Sequence, residues 1–254
     1  MFGYKKLLAQ YNKIVFISPH LDDAILSCGQ LISELVKLKK KIQIISIFTK
    51  GSLKTITPQA KHFLNACGYE SAVTLFRDRQ NEDKNMAKRL GLSIKHLNFT
   101  DAAWRTDRKL NPIYRDAMQQ FGGVASEKDS LLVNSIRSKL SALIKKKHDQ
   151  PLVFGPLGIG GHVDHVLTRN VLAKMNISTL FWEDFPYNTS RETKRLFFSQ
   201  TKEFKTVFSL FYLDSSRKTT LINFYKSQAA SLFPNRKIPH VKEGYYYLKS
   251  RKPF

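Results

Sequence analysis

One junction constrains this chain more than any other. Ile14, Val15, Phe16 and Ile17 form an unbroken apolar run that stops at Ser18-Pro19-His20 and then passes two adjacent acids, Asp22 and Asp23. A run without alternation reads as a parallel strand buried on both faces. After it, Ala24, Ile25, Leu26, Leu31, Ile32, Leu35 and Val36 recur at helical spacing, an apolar face broad enough to pack on a sheet. A buried strand feeding straight into such a helix is the opening unit of an α/β fold. It also sets a histidine and two carboxylates at the mouth of the strand, where charge is costly unless it is paired or bound to metal.

The unit repeats along the chain. Strand signals fall at residues 14–18, 42–48, 71–75, 94–98, 152–155 and 179–183. Helical patterns fall at 59–67, 82–90, 130–147 and 164–175. The alternation predicts a Rossmann-like α/β fold: an open, mostly parallel sheet with helices on both faces. With 254 residues, 42% of them hydrophobic, the chain is long enough for a sizeable core, and we read residues 1–254 as a single domain. Residues 100–128 lack a clear period and read as a functional loop or lid. Beyond Pro186 the chain turns more aromatic and basic, a C-terminal extension (about 186–254) expected to wall the site.

The net charge is +22, from 42 Lys and Arg against 20 Asp and Glu. Such a surface favours acidic partners: phosphorylated small molecules or an anionic membrane surface. The basic residues are scattered, however, through 37–41, 145–148, Arg77, Arg79, Lys84, Lys88, Arg89, Lys249, Arg251 and Lys252. They form no stripe interleaved with stacking aromatics, so no specific nucleic-acid partner is expected. Two cysteines, Cys28 and Cys67, exclude a disulfide scaffold and read as small core residues. No signal-like N-terminal segment and no apolar run near the roughly 20 residues of a membrane helix is present. The expectation is a cytoplasmic protein, with peripheral attachment to a membrane as an option.

A second polar cluster follows the strand at 152–155. There the turn is rich in glycine (Gly155, Gly158, Gly160, Gly161) and leads to His162, Asp164 and His165. In open α/β sheets ligands bind at the carboxyl ends of the strands, so the two clusters converge over one edge. His20 and Asp23 are three apart, as are His162 and His165, which puts each pair on one face of a starting helix. Two imidazoles and a carboxylate make a catalytic zinc set with open positions for water and substrate. Asp22, next to Asp23, must point elsewhere and is free to be a base. Taken singly, an Asp-Asp pair before a helix is an N-cap, and a His-x-x-His pair is a surface or core feature. Their pairing in one chain argues for a metal.

The stretches SPHLDDAILSCG and GGHVDHVLTR resemble the PIG-L/LmbE-type family of zinc-dependent N-deacetylases, with weaker echoes in RDRQNEDKNMAKRLGL, FTDAAWR, FWEDFPY and YKSQAASLF. The family's second proline is Leu21 here and the acid after its Asp pair is Ala24. The resemblance implies one divalent ion, Zn2+ or alternatively Fe2+, held by His20, Asp23 and His165. It implies Asp22 as general base and His162 as the group that steadies the oxyanion or protonates the leaving amine. Asp164 would orient a histidine.

The implied substrate is an N-acetylated amino sugar, of GlcNAc type, on a nucleotide, lipid or natural product. Arg105, Arg77 and Arg79 are candidates to meet a phosphate, Asp101 to bind sugar hydroxyls, and Trp104, Trp182 and Tyr187 to stack on a ring. Two rival readings stay open: an amidase for a longer N-acyl chain, and a basic nucleic-acid- or membrane-binding protein with a vestigial site.

Overall fold

The computed structural model describes residues 3–144, 150–210, 215–235 and 237–251. The chain opens with α1 (Gly3–Ala9), β1 (Lys13–Ser18), α2 (Asp23–Lys37) and β2 (Lys41–Lys50). Two helices, α3 (Pro58–Cys67) and α4 (Ala72–Leu90), precede β3 (Ser93–Thr100). The short α5 (Ala117–Phe121) lies in the long connection to α6 (Ser130–Ile144). Then follow β4 (Leu152–Pro156), α7 (Val163–Lys174) and β5 (Thr179–Trp182). The last part holds α8 (Arg191–Gln200), β6 (Phe204–Leu210), α9 (Ser215–Ile222), α10 (Lys226–Leu232) and β7 (Glu243–Leu248).

All seven strands form one sheet, in the order β3-β2-β1-β4-β5-β7-β6. The first five are parallel, and β7 runs antiparallel to both β5 and β6. The fold is therefore the expected open α/β sheet, with an antiparallel edge added by the C-terminal extension. Strand β1 shows why both faces must be covered. Ile14 and Phe16 enter the core beneath α2, whereas Val15 and Ile17 enter the core beneath α6 and α7. Phe16 stacks on Phe154 of β4 at 5.0 Å between ring centroids. Each such side chain, fully removed from water, contributes about 1.5–3 kcal/mol.

Residues 71–75 are not a strand. Ser71 is extended, but its Oγ accepts the Thr74 N–H at 3.2 Å and caps α4. The β-branched Val73 and Thr74 that mimic a strand sit in the first turn, and Val73 is exposed. The helix then runs unbroken through the predicted 82–90 segment to Gly91, whose left-handed backbone ends it. α6 covers most of the predicted helix at 130–147; residues 145–147, the basic run 145–148 and Lys252 lie outside the described residues. Strands β6 and β7, in the part read only as an extension, are additions.

No helix among the described residues is long and apolar enough to cross a membrane. Cys28 is buried and Cys67 half-buried, and neither forms a disulfide.

Candidate active site

Strand β1 has β2 on one side and β4 on the other, so the chain order reverses between β1 and β4. That switch point opens a crevice at the strands' carboxyl ends. The Ser18–Asp23 segment enters it from β1, and the 157–165 segment enters it from β4. Ser18 Oγ accepts the Ala24 N–H at 3.0 Å, which starts α2 immediately and fixes the two aspartates at its mouth. Two glycines of the second segment allow close approach. A Cβ on Gly160 would lie 2.4 Å from the Tyr187 ring, and one on Gly161 would lie 2.3 Å from the Phe121 carbonyl oxygen.

The polar residues predicted for this edge do come together. Asp23 Oδ2 lies 3.0 Å from His20 Nδ1 and 3.3 Å from His165 Nε2. One ligand atom from each of these three residues lies within 4.8 Å of the others, a spacing that one ion can bridge. Each imidazole has a carboxylate behind it: His20 Nε2 meets Asp164 Oδ2 at 3.1 Å, and His165 Nδ1 meets Asp184 Oδ1 at 2.7 Å. Such partners fix the ring of a metal-binding histidine and raise its basicity. His20, His162 and Asp164 form a second group with the required proximity. In it, however, Asp164 is already engaged by Arg105 at 2.6 Å and by the Ala102 N–H at 3.0 Å. His162 turns Nδ1 to its own helix, where it accepts the Asp164 N–H at 3.2 Å.

Electrostatics follow the geometry. Burial pushes the Asp23 carboxyl up, but the His165 and His20 imidazoles more than reverse this and hold it well below the carboxylate range. Burial lowers His165, yet Asp23 and Asp184 lift it to about 9. His20 is likewise raised against burial, mainly by Asp23. The field that draws protons onto these two rings is the field a divalent cation would meet. His162 goes the other way: burial and the nearby His20 press it well below 6.5. Burial raises Asp22, with Arg79 opposing.

The remaining candidates divide. Arg79 lines the crevice and donates to Asp22 Oδ1 at 3.1 Å, its guanidinium lying over the rings of Phe63 and Phe76. Asp101 also faces the crevice, 3.5 Å from His20 Nε2, while its Oδ1 accepts the Ala103 N–H. Arg105 is a correction. It is buried between Asp164 and Asp129, 2.6 and 3.2 Å away, and so neutralises acids from within instead of meeting substrate. Arg77 is exposed and pairs with its neighbour Asp78. Of the three ring-stacking candidates, Trp104 and Trp182 are core residues, 1% and 0% exposed, and Tyr187 reaches the crevice.

The recess, open mouth included, is about 590 Å³. Gln120 and Phe121 from the 100–128 connection wall it, as do Pro186, Tyr187, Gln228 and Leu232 from the extension. Asp184 is the functional residue that sequence reading missed. Its signal was the same as for the other clusters: an acid just past the end of a strand, here β5.

With this geometry in place, a family model described as PIG-L, GlcNAc-PI de-N-acetylase, matches residues 15–176, more than half of the chain. The chain belongs to the PIG-L family. Among curated PIG-L relatives, a 2'-N-acetylparomamine deacetylase from Niallia circulans is 29% identical over 191 residues, 68% of this chain and 66% of that protein. One from Streptomyces fradiae is 25% identical over 186 residues, 71% of this chain and 60% of its own length. The chain thus spans just under two thirds of these relatives. The zinc-inhibited form of teicoplanin deacetylase shares the fold, with a TM-score of 0.72 at 19% identity, covering 94% of this chain and all of that one.

Proposed function

We propose that this PIG-L protein is a metal-dependent hydrolase that removes the acetyl group from the nitrogen of an amino sugar. One observation carries the reading. Asp23, His20 and His165 converge, each imidazole backed by a buried carboxylate, beside Asp22, which binds Arg79 instead of joining the group. On this reading His20, Asp23 and His165 hold the ion, and Asp164 and Asp184 orient the two rings. Zinc fits the two imidazoles and one carboxylate best, with iron(II) as the alternative. When bound, the ion supplies Lewis-acid polarisation of an amide carbonyl and a lowered pKa for water in the recess, towards ~7.

The chain's own residues supply the remaining chemistry. Asp22 takes a proton from the attacking water and returns it to the departing amine. His162, pressed towards its neutral form, offers Nε2–H to the carbonyl oxygen as charge gathers there; a donor of this kind is worth on the order of 3 kcal/mol. Asp101 faces the recess and is assigned to sugar hydroxyls. Acetate and the free amine are the products.

The substrate class is an N-acetylated sugar within a glycosylated natural product, as the relatives' names suggest, or on a nucleotide or lipid carrier. The net charge of +22 favours an anionic carrier. The same reading takes the chain as one domain, since β7 pairs with β5, and places it in the cytoplasm or at a membrane surface. Acetate release from a panel of N-acetyl amino sugars tests it, with propionyl and longer acyl homologues alongside. Asp22→Asn should keep one ion per chain and lose roughly 100- to 10,000-fold in turnover. Loss of the ion in that variant, or no acetate release by the zinc-loaded parent from any member, would overturn the reading.

A further inference from the structure

His162 has two ring nitrogens, and both are engaged. Nδ1 accepts a backbone N–H, that of Asp164, at 3.2 Å. A neutral imidazole that accepts at Nδ1 carries its proton on Nε2. Nε2 lies 3.1 Å from the carboxamide of Gln120, a buried residue at the tip of α5. A ring N–H needs an acceptor, and the only acceptor in a carboxamide is its oxygen. A half-turn of the amide exchanges its oxygen and nitrogen, so partners decide the orientation. In the structure Gln120 Nε2 faces His162 Nε2 and Gln59 Nε2 donates to Gln120 Oε1 at 3.4 Å; setting Oε1 towards His162 turns the Gln59 amide as well, so that its oxygen accepts from the Gln120 amino group. This orientation satisfies the whole chain Asp164–His162–Gln120–Gln59.

The Gln120 carbonyl thus holds the one in-plane direction that His162 has to offer the recess. On the reading above, that direction belongs to the oxygen of the scissile amide. We infer that the Gln120 carboxamide is an internal stand-in for the substrate's amide, bound to the His162 donor and displaced by substrate. The inference rests on the proposed hydrolase reading only for the identity of what displaces it.

The surroundings suit a removable plug. Helix α5 is a single short turn, and Met118 and Val124 on the same segment are 84% and 76% exposed. The segment touches the site through Phe121, edge-on to His162 at 4.9 Å and 6.4 Å from the Tyr187 ring, through one backbone bond, Gly123 N–H to the Gly161 carbonyl at 2.9 Å, and through the close approach of Gly161 to the Phe121 carbonyl. Gln120 is bound to no catalytic acid, so its withdrawal leaves Asp22, Asp23 and Asp101 as they are.

The test is the affinity of N-methylacetamide, the smallest secondary amide, for the zinc-loaded protein, followed by NMR through the His162 ring. Gln120→Met keeps the length and apolar volume and removes the acceptor. It should bind the amide roughly 2- to 10-fold more tightly than the parent, the range of one neutral hydrogen bond. The His162 ring proton should sit on Nε2 in the free parent. With an amino sugar that the parent deacetylates, KM should fall by the same factor at constant kcat. Equal or weaker amide binding overturns the inference, as does a ring proton on Nδ1 or a loss confined to kcat. Gln120→Asn, too short to reach, must behave as Gln120→Met and carries the test should the methionine disturb the fold. The binding comparison needs no turnover, so a parent that deacetylates nothing sinks the hydrolase reading without deciding the role of Gln120.

Discussion

At the scale of residues, the site is a set of acids whose partners assign their work. Asp184 holds His165 and is itself held by the Gly158 and Ile159 N–H groups at 2.7 and 2.8 Å. Asp184→Asn should therefore weaken zinc binding by roughly 10- to 100-fold without unfolding the protein, read by competition with a chelator. Arg105 works through structure. Arg105→Ala would strand Asp164 and Asp129 as buried charges, and about 3–5 kcal/mol of stability should be lost in denaturant unfolding. A loss below 1 kcal/mol would show the pair to be solvated. These two residues also mark what a sequence yields. His20, Asp22, Asp23, His162 and His165 were legible because two His-Asp clusters follow two apolar strands. Arg105 looked like a substrate residue because an arginine beside a tryptophan carries no trace of the two acids that fold back onto it. Asp184 was passed over because its partner, His165, is 19 positions away.

At the scale of elements, the glycine loop after β4 and the segment carrying α5 are fitted to each other. Gly161 has φ +70° and no room for a Cβ against the Phe121 carbonyl. Gly68, at the end of α3, has nearly the same backbone, φ +73°, and open space around it. Gly68→Ala should cost only the left-handed penalty of about 1–2 kcal/mol. Gly161→Ala should cost more and should also change kcat/KM, since it displaces Gln120 and Phe121. Equal melting temperatures for the two variants would mean that the contact is loose. Elements with strong local signals, such as β1, β2 and α2, were readable to within a residue or two. The false strand at 71–75 arose because β-branched residues in a first turn obey the same local preference as a strand, and a cap can overrule it.

At the scale of the whole molecule, protons and metal compete for one centre. Without metal, His165 is lifted to about 9 by Asp23 and Asp184. A raised folded-state value stabilises the metal-free protein fully below about 6.5, the unfolded value, and the contribution is lost as pH rises through 9. Zinc requires the deprotonated ring, so its contribution runs in the opposite direction. The gain in melting temperature on adding zinc should thus increase steadily from pH 6.5 to 9; a gain independent of pH would remove His165 from the ligand set. One further property follows from the sheet order. β7 is threaded between β5 and β6, and its partners are both complete before residue 243 is reached. During synthesis on the ribosome, β6 has no sheet neighbour among the described residues until β7 emerges. The nascent chain can assemble its parallel half early, but it must carry Phe204–Leu210 as an unclaimed strand until Glu243–Leu248 arrives to insert beside β5. The extension that walls the recess thus matures after the parallel half, and the pocket acquires its full enclosure only once Glu243–Leu248 has been made.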